Sequence, residues 1–97
     1  AYSDHLLPGL NELAGAIHLQ GARVILQICH GGRQTTPDTI PNGKLPVAPS
    51  NVPCQFLSRV IGRQNYCEAL TIEQIGEIIA NFGKAAAKTR KSGRLWT

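Results

Sequence analysis

Residues 27–33, Gln27-Ile28-Cys29-His30-Gly31-Gly32-Arg33, gather a carboxamide, a thiol, an imidazole and a guanidinium around a glycine pair. The Gln27 carboxamide carries two donors and one acceptor oxygen. Buried at a strand end, it either bonds neighbouring backbone or meets the polar edge of a planar heterocycle, whose paired donors and acceptors match an amide. His30 has the chemistry of a general acid, but beside two glycines at a tight turn the stronger reading is an imidazole holding loop backbone. Arg33 suits an anion, or pins a loop through a carboxylate or carbonyls. Cys29 has no basic or metal neighbour beyond His30, which favours a small packing residue over a nucleophile. His18 reads as the flank of a helix. Gly31-Gly32 is no dinucleotide fingerprint, because no G-x-G-x-x-G opens a helix there. The three cysteines, Cys29, Cys54 and Cys67, show no C-x-x-C and no paired histidine spacing. They support neither a disulfide framework nor a zinc site. Reduced thiols in a cytoplasmic protein are the expectation, and no catalytic or metal-ligating residue is assigned.

Three elements must position these side chains. Leu10, Leu13, Ala14 and Ile17 recur at helical spacing, which predicts a helix from about Pro8 to Gln20. Pro8 suits its first turn and Gly21 its left-handed stop, with Ser3 or Asp4 capping a preceding turn. Arg23-Val24-Ile25-Leu26-Gln27-Ile28-Cys29 then reads as a strand of a parallel sheet, buried on both faces. Side chains alternate along a strand, so Gln27 and Cys29 share one face and Ile28 takes the other. Thr71 and Gln74 form a capping-box pair that opens a helix running to about Ser92. Its expected buried stripe is Ile72, Ile75, Ile78, Ile79, Phe82 and Ala86, and Gly93 offers its stop. Between strand and helix lie residues 30–70, holding five of the six prolines and reading as one long loop.

At 97 residues the chain suffices for one small domain. One doubly buried strand with two helices is nevertheless incomplete, because a strand needs neighbours on both edges. Helix, strand, loop and helix make one and a half βα units of a doubly wound sheet or a (β/α)₈ barrel. The absence of any methionine also suggests an internal piece of something larger. The formal charge is +4, but five of the ten basic residues (Lys84, Lys88, Arg90, Lys91, Arg94) sit in the last fourteen positions. What remains is near neutral, and cations in a helix's last turns are favoured by its dipole and face water. With Trp96 the only aromatic nearby, no nucleic-acid partner is expected. No apolar run approaches a membrane span and no secretory signal is visible, so no membrane partner is expected either.

Gln27-Ile28-Cys29-His30-Gly31-Gly32-Arg33 resembles the Q-L-x-H-x-G-R stretch of the Old Yellow Enzyme family, the NADH:flavin oxidoreductases. Pro8-Gly9-Leu10 and Ala16-Ile17-His18 through Gly21-Ala22 resemble the family's preceding helix and turn. Val47-Ala48-Pro49-Ser50 resembles its V-A-P-S loop. Leu70-Thr71, with Glu73, Ile75, Ile79, Phe82, Ala85 and Ala86, resembles its L-T-x-x-E-I helix. Order and spacing agree to Gly93. Four motifs in series are specific where each alone is weak.

The resemblance implies that residues 1–97 are an internal fragment of a single FMN-binding (β/α)₈ TIM barrel, from its second helix to its third. It implies an FMN-dependent ene-reductase, taking hydride from NAD(P)H and reducing a small-molecule alkene such as an enone, enoate or dienoyl thioester. Gln27 matches the glutamine that bonds the flavin's pyrimidine edge, and Cys29 a position in the substrate-pocket wall. A small residue there points towards the dienoyl-CoA or enoate reductase branch rather than the branch that carries Trp. Ser92-Gly93 departs from the pattern by running into Arg94-Leu95-Trp96-Thr97. The family's Phe-Asp, paired substrate-binding His/His or His/Asn, and Tyr proton donor do not follow. The fragment alone is expected to be inactive. The alternative is a non-catalytic α/β module, or a decayed relic, whose basic C-terminal helix binds an anionic partner.

Overall fold

Helices are the main regular structure of residues 3–91, which the computed structural model describes. The chain divides into two compact units, one of residues 3–29 with 76–91, the other His30–Ile75.

In the first unit a short 3₁₀ turn, Asp4–Leu6, leads into α1 (Leu7–Leu19), with Pro8 in its first turn. The Ser3 hydroxyl lies 2.7 Å from His5 Nδ1 and makes no cap hydrogen bond, so the expected capping of the turn by Ser3 does not form. Gly21 takes the left-handed conformation (φ 77°) and its N–H donates to the His18 carbonyl at 2.9 Å. Ala14 is fully buried, flanked by half-buried Leu10 and Ile17. Leu13 is exposed, so the apolar stripe is narrower than its spacing predicts.

Residues 22–31 form no strand, which corrects the parallel strand expected over 23–29. A ladder needs a second chain segment to exchange N–H and C=O groups with, and among the described residues none pairs with this run. Burial alternates along it all the same, as in extended chain. Val24, Leu26 and Ile28 are half-buried, whereas Arg23, Ile25, Gln27 and Cys29 are exposed. The run is therefore covered on one face, with Ile25 86% exposed on the other, rather than buried on both.

α3 (Ile72–Lys91) opens on the predicted capping box. The Gln74 N–H donates to Thr71 Oγ1 at 3.1 Å and the Thr71 N–H to Gln74 Oε1 at 2.9 Å. The predicted stop at Gly93, after Ser92, lies outside the described residues. The expected buried stripe holds only at Ile78 and Ala86, both half-buried, whereas Ile72 is 89% and Ile79 68% exposed. The fully buried residues of the helix are Ala85 and Thr89, which the apolar spacing did not single out. The isoleucines about a quarter-turn round the helix meet no second layer within the described residues.

The second unit replaces the expected structureless loop. It holds 3₁₀ turns at Gly32–Gln34, Pro37–Thr39 and Pro41–Gly43, strands β1 (Val47–Ala48) and β2 (Glu68–Ala69), and helix α2 (Gln55–Ile61). The strands are parallel, with Val47 opposite Glu68 and Ala48 opposite Ala69. The Glu68 and Leu70 N–H groups donate to the Pro46 and Ala48 carbonyls, each at 2.8 Å. α2 stops at Gly62, which is left-handed (φ 72°) and donates to the Ser58 carbonyl. The fold is thus mixed helix with a small parallel sheet. Among the described residues, no helix is long and apolar enough to cross a membrane.

Candidate functional site

Gln27 and Cys29 emerge on the same, exposed side of the extended run, with Ile28 turned to the covered side. Among the described residues the Gln27 carboxamide has no hydrogen-bond partner, so its donors and its acceptor are all available. The Cys29 thiol is free and exposed, while Cys54 and Cys67 are free and buried. No cluster of His, Cys, Asp and Glu able to hold a metal occurs among the described residues.

The next residues shape backbone. His30 Nδ1 accepts the Gly32 N–H at 3.0 Å, which in the neutral ring leaves the proton on Nε2. The imidazole holds the turn, as the glycine pair predicts. Gly31 is required by space, because a Cβ there would run into the Thr35 methyl group. Thr35 is itself tied by its hydroxyl, which donates to the Gly32 carbonyl at 2.9 Å. Arg33 Nη1 donates to the Val52 carbonyl at 3.1 Å, so its guanidinium pins a loop through a carbonyl.

Sequence reading missed Asn65, Ser58 and the buried role of Cys67. Asn65 is 2% exposed and donates from Nδ2 to the Thr35 carbonyl at 2.8 Å. Its N–H donates to Ser58 Oγ at 2.9 Å, and Ser58 Oγ donates to the Cys54 carbonyl at 2.8 Å. The one available signal was the alternation Asn65-Tyr66-Cys67-Glu68, which is burial at period two.

In the basic C-terminal helix, Lys84 and Arg90 are exposed. Lys88 Nζ lies 2.8 Å from Asp4 Oδ1. Its hydrogen bond, and then its charge, hold the Asp4 carboxyl below the ordinary 3.8. Arg94 and Trp96 lie outside the described residues.

The profile of the NADH:flavin oxidoreductase / NADH oxidase family matches residues 1–94. The chain belongs to this family. It is 48% identical to an NADH oxidase of Thermoanaerobacter brockii over 87 residues, covering 90% of this chain and 12% of that protein. It is 37% identical to a cinnamate reductase of Clostridium sporogenes over 84 residues, covering 86% of this chain and 12% of that protein. With an NADPH dehydrogenase of Listeria monocytogenes the identity is 32% over 92 residues, covering 95% of this chain and 24% of that protein. The chain thus spans between about an eighth and a quarter of the length of these three relatives. The family is one of flavin-dependent oxidoreductase enzymes, using FMN and NAD(P)H on small molecules within a (β/α)₈ barrel. The Gln27 amide, exposed and without a partner among the described residues, offers the donor and acceptor types that the edge of a flavin pyrimidine ring would require. The described residues add no second polar group to that open face beyond Arg23 and the Cys29 thiol.

Proposed function

We propose that residues 1–97 are part of an FMN-dependent ene-reductase barrel, in which Gln27 holds one edge of the flavin and Cys29 lines the pocket for an activated alkene. The observation that carries this reading is the unpartnered Gln27 carboxamide on the open side of an extended run that ends at Cys29. In a (β/α)₈ barrel such a position is the C-terminal end of a strand, where active sites collect. Completing the barrel would supply the neighbours that residues 23–29 lack and would turn Gln27 towards the interior.

FMN, when bound, supplies the transfer of hydride from NAD(P)H to the alkene. The chain's own part is to bind and orient. The Gln27 amide would donate and accept at the pyrimidine edge, fixing the ring plane and favouring electron density there. Cys29 presents little bulk two residues on, leaving room for a substrate that a larger side chain would displace. The relative named cinnamate reductase supports an unsaturated acid as one substrate class, and three free thiols fit a reducing, cytoplasmic setting.

The test is Gln27→Leu in the full-length protein. Leucine fills the volume but strands the flavin's polar edge, which costs about 1–3 kcal/mol, or roughly 5- to 150-fold in FMN Kd. The reduction potential should shift with it. An FMN affinity and potential equal to those of the wild type would remove Gln27 from the cofactor site.

A further inference from the structure

Asparagine precedes glycine once in the chain, at Asn42-Gly43, whereas Asn11, Asn51, Asn65 and Asn81 precede Glu12, Val52, Tyr66 and Phe82. Asn11 and Asn81 lie within α1 and α3, and Asn65 is buried. Asn51 is exposed, but the β-branched Val52 crowds the nitrogen that follows it. Asn42 is exposed, as is every residue from Pro41 to Leu45. Among the described residues it alone, apart from glycines, has a positive φ, at φ 64° and ψ 18°. The Gly43 N–H donates to the Ile40 carbonyl at 3.1 Å. With Pro41 in second place and Asn42 in third, this is the pattern of a type II turn. Asparagine tolerates the left-handed region better than most residues with a side chain.

We propose that Asn42 is a modification site, an asparagine that deamidates through its own backbone and that the 40–43 turn restrains. The Gly43 nitrogen, giving up its proton, attacks Asn42 Cγ. The new Cγ–N bond forms as the Cγ–Nδ2 bond breaks, and Nδ2 leaves as ammonia with that proton. Water then adds to the succinimide, at Cγ to give aspartate or at the main-chain carbon to give isoaspartate. Glycine favours the attack, because no Cβ crowds its nitrogen. The closed turn opposes it. A ψ of 18° nearly eclipses the Gly43 nitrogen with the nitrogen of Asn42 itself, so Cβ and the Cγ beyond it are turned away. The proton that must leave is also engaged by the Ile40 carbonyl. Reaction therefore waits on breaking that hydrogen bond and rotating ψ. An exposed surface turn opens readily, and the nearby Arg63–Asp38 pair, at 3.4 Å, is itself exposed. Either product places a carboxylate beside Lys44, and isoaspartate also lengthens the backbone within the turn.

The test stores the full-length protein at mildly alkaline pH and maps its peptides by mass spectrometry over weeks. The peptide holding Asn42 should gain about 1 Da before those holding Asn11, Asn51, Asn65 and Asn81. An isoaspartyl methyltransferase should label it, and the rate should rise with pH, because the attacking nitrogen must lose a proton. Unfolding in concentrated urea should speed the change roughly tenfold or more. Pro41→Gly, which frees the backbone before Asn42, should speed it roughly threefold or more in the folded protein. Asn42→Gln should abolish the gain on that peptide. Another asparagine changing first, or a native protein that stays intact while the unfolded chain reacts, overturns the site. Equal rates in native and urea-unfolded protein overturn the restraint by the turn. If Pro41→Gly does not fold, the comparison of native with unfolded wild type decides alone.

Discussion

Asp4 and Lys88 meet at 2.8 Å while most of the carboxylate stays in water, so their pairing is felt in titration more than in burial. Lys88 depresses the Asp4 pKa, first through the hydrogen bond and then through its charge. A depressed folded-state pKa makes a contribution that is present above the ordinary carboxylate value of 3.8. It is lost as the pH falls through the depressed one. Wild type should therefore melt above Asp4→Asn at neutral pH, and the gap in Tm should close as acid protonates Asp4. Molar salt should narrow the gap at neutral pH, because exposed charges are screened. A gap that persists unchanged at the lowest pH would mean the asparagine acts by some route other than charge. At this scale the sequence was readable where one side chain acts on its immediate neighbours. His30 at a glycine turn and Arg33 near a carbonyl-rich loop could be reasoned from residue type and position. Asn65 could not, since its partners Arg33 and Thr35 lie thirty or more residues away, and nothing local distinguishes a buried asparagine from a turn-forming one.

Helix α3 owes its start to Thr71 and Gln74, whose reciprocal bonds satisfy two main-chain donors at the end where intrahelical partners are missing. Thr71→Ala should cost about 1 kcal/mol. The urea midpoint of the full-length protein should fall while the m-value holds. A changed m-value would show instead that the helix end frays before the rest unfolds. This cap was legible because both halves lie within four residues, and the Gly21 stop of α1 for the same reason. α2 was not. Its seven residues make only two turns, set among Pro46, Pro49 and Pro53, although Leu57 and Ile61 on its covered side and Gly62 at its end were there to be read. β1 and β2 are two residues each, their partners twenty-one positions apart, and such a bridge leaves no periodic trace. Residues 23–29 show the opposite case. Their composition describes a strand in a sheet and burial alternates along them, yet among the described residues no segment pairs with the run.

Across the whole chain, too much apolar surface faces water for the described elements to stand well alone. Leu19, Ile25 and Ile72 are 86%, 86% and 89% exposed, and Phe56, Ile79 and Val60 are mostly exposed as well. Each such side chain would contribute about 1.5–3 kcal/mol if a second layer covered it. Against that unrealised gain stands a backbone ordering cost of roughly 1–2 kcal/mol for every residue fixed. Ala14, Ala48, Cys54, Cys67 and Ala85 are the buried hydrophobic residues among those described, and all are small. Expressed alone, residues 1–97 should therefore unfold over a broad range, bind a hydrophobic dye before heating, hold no FMN and leave enones unreduced. Small domains bury proportionally less of their surface, and this one leaves its longest helix half uncovered. The full-length protein should instead show a sharp transition, with the α3 isoleucines protected once flanking strands and helices pack on them. Calorimetry and the visible flavin band, measured on both proteins at equal concentration, separate these outcomes. A monomeric preparation of the 97 residues that melted cooperatively and carried stoichiometric flavin would overturn the fragment reading, because it would place a complete cofactor site where a single amide edge is proposed.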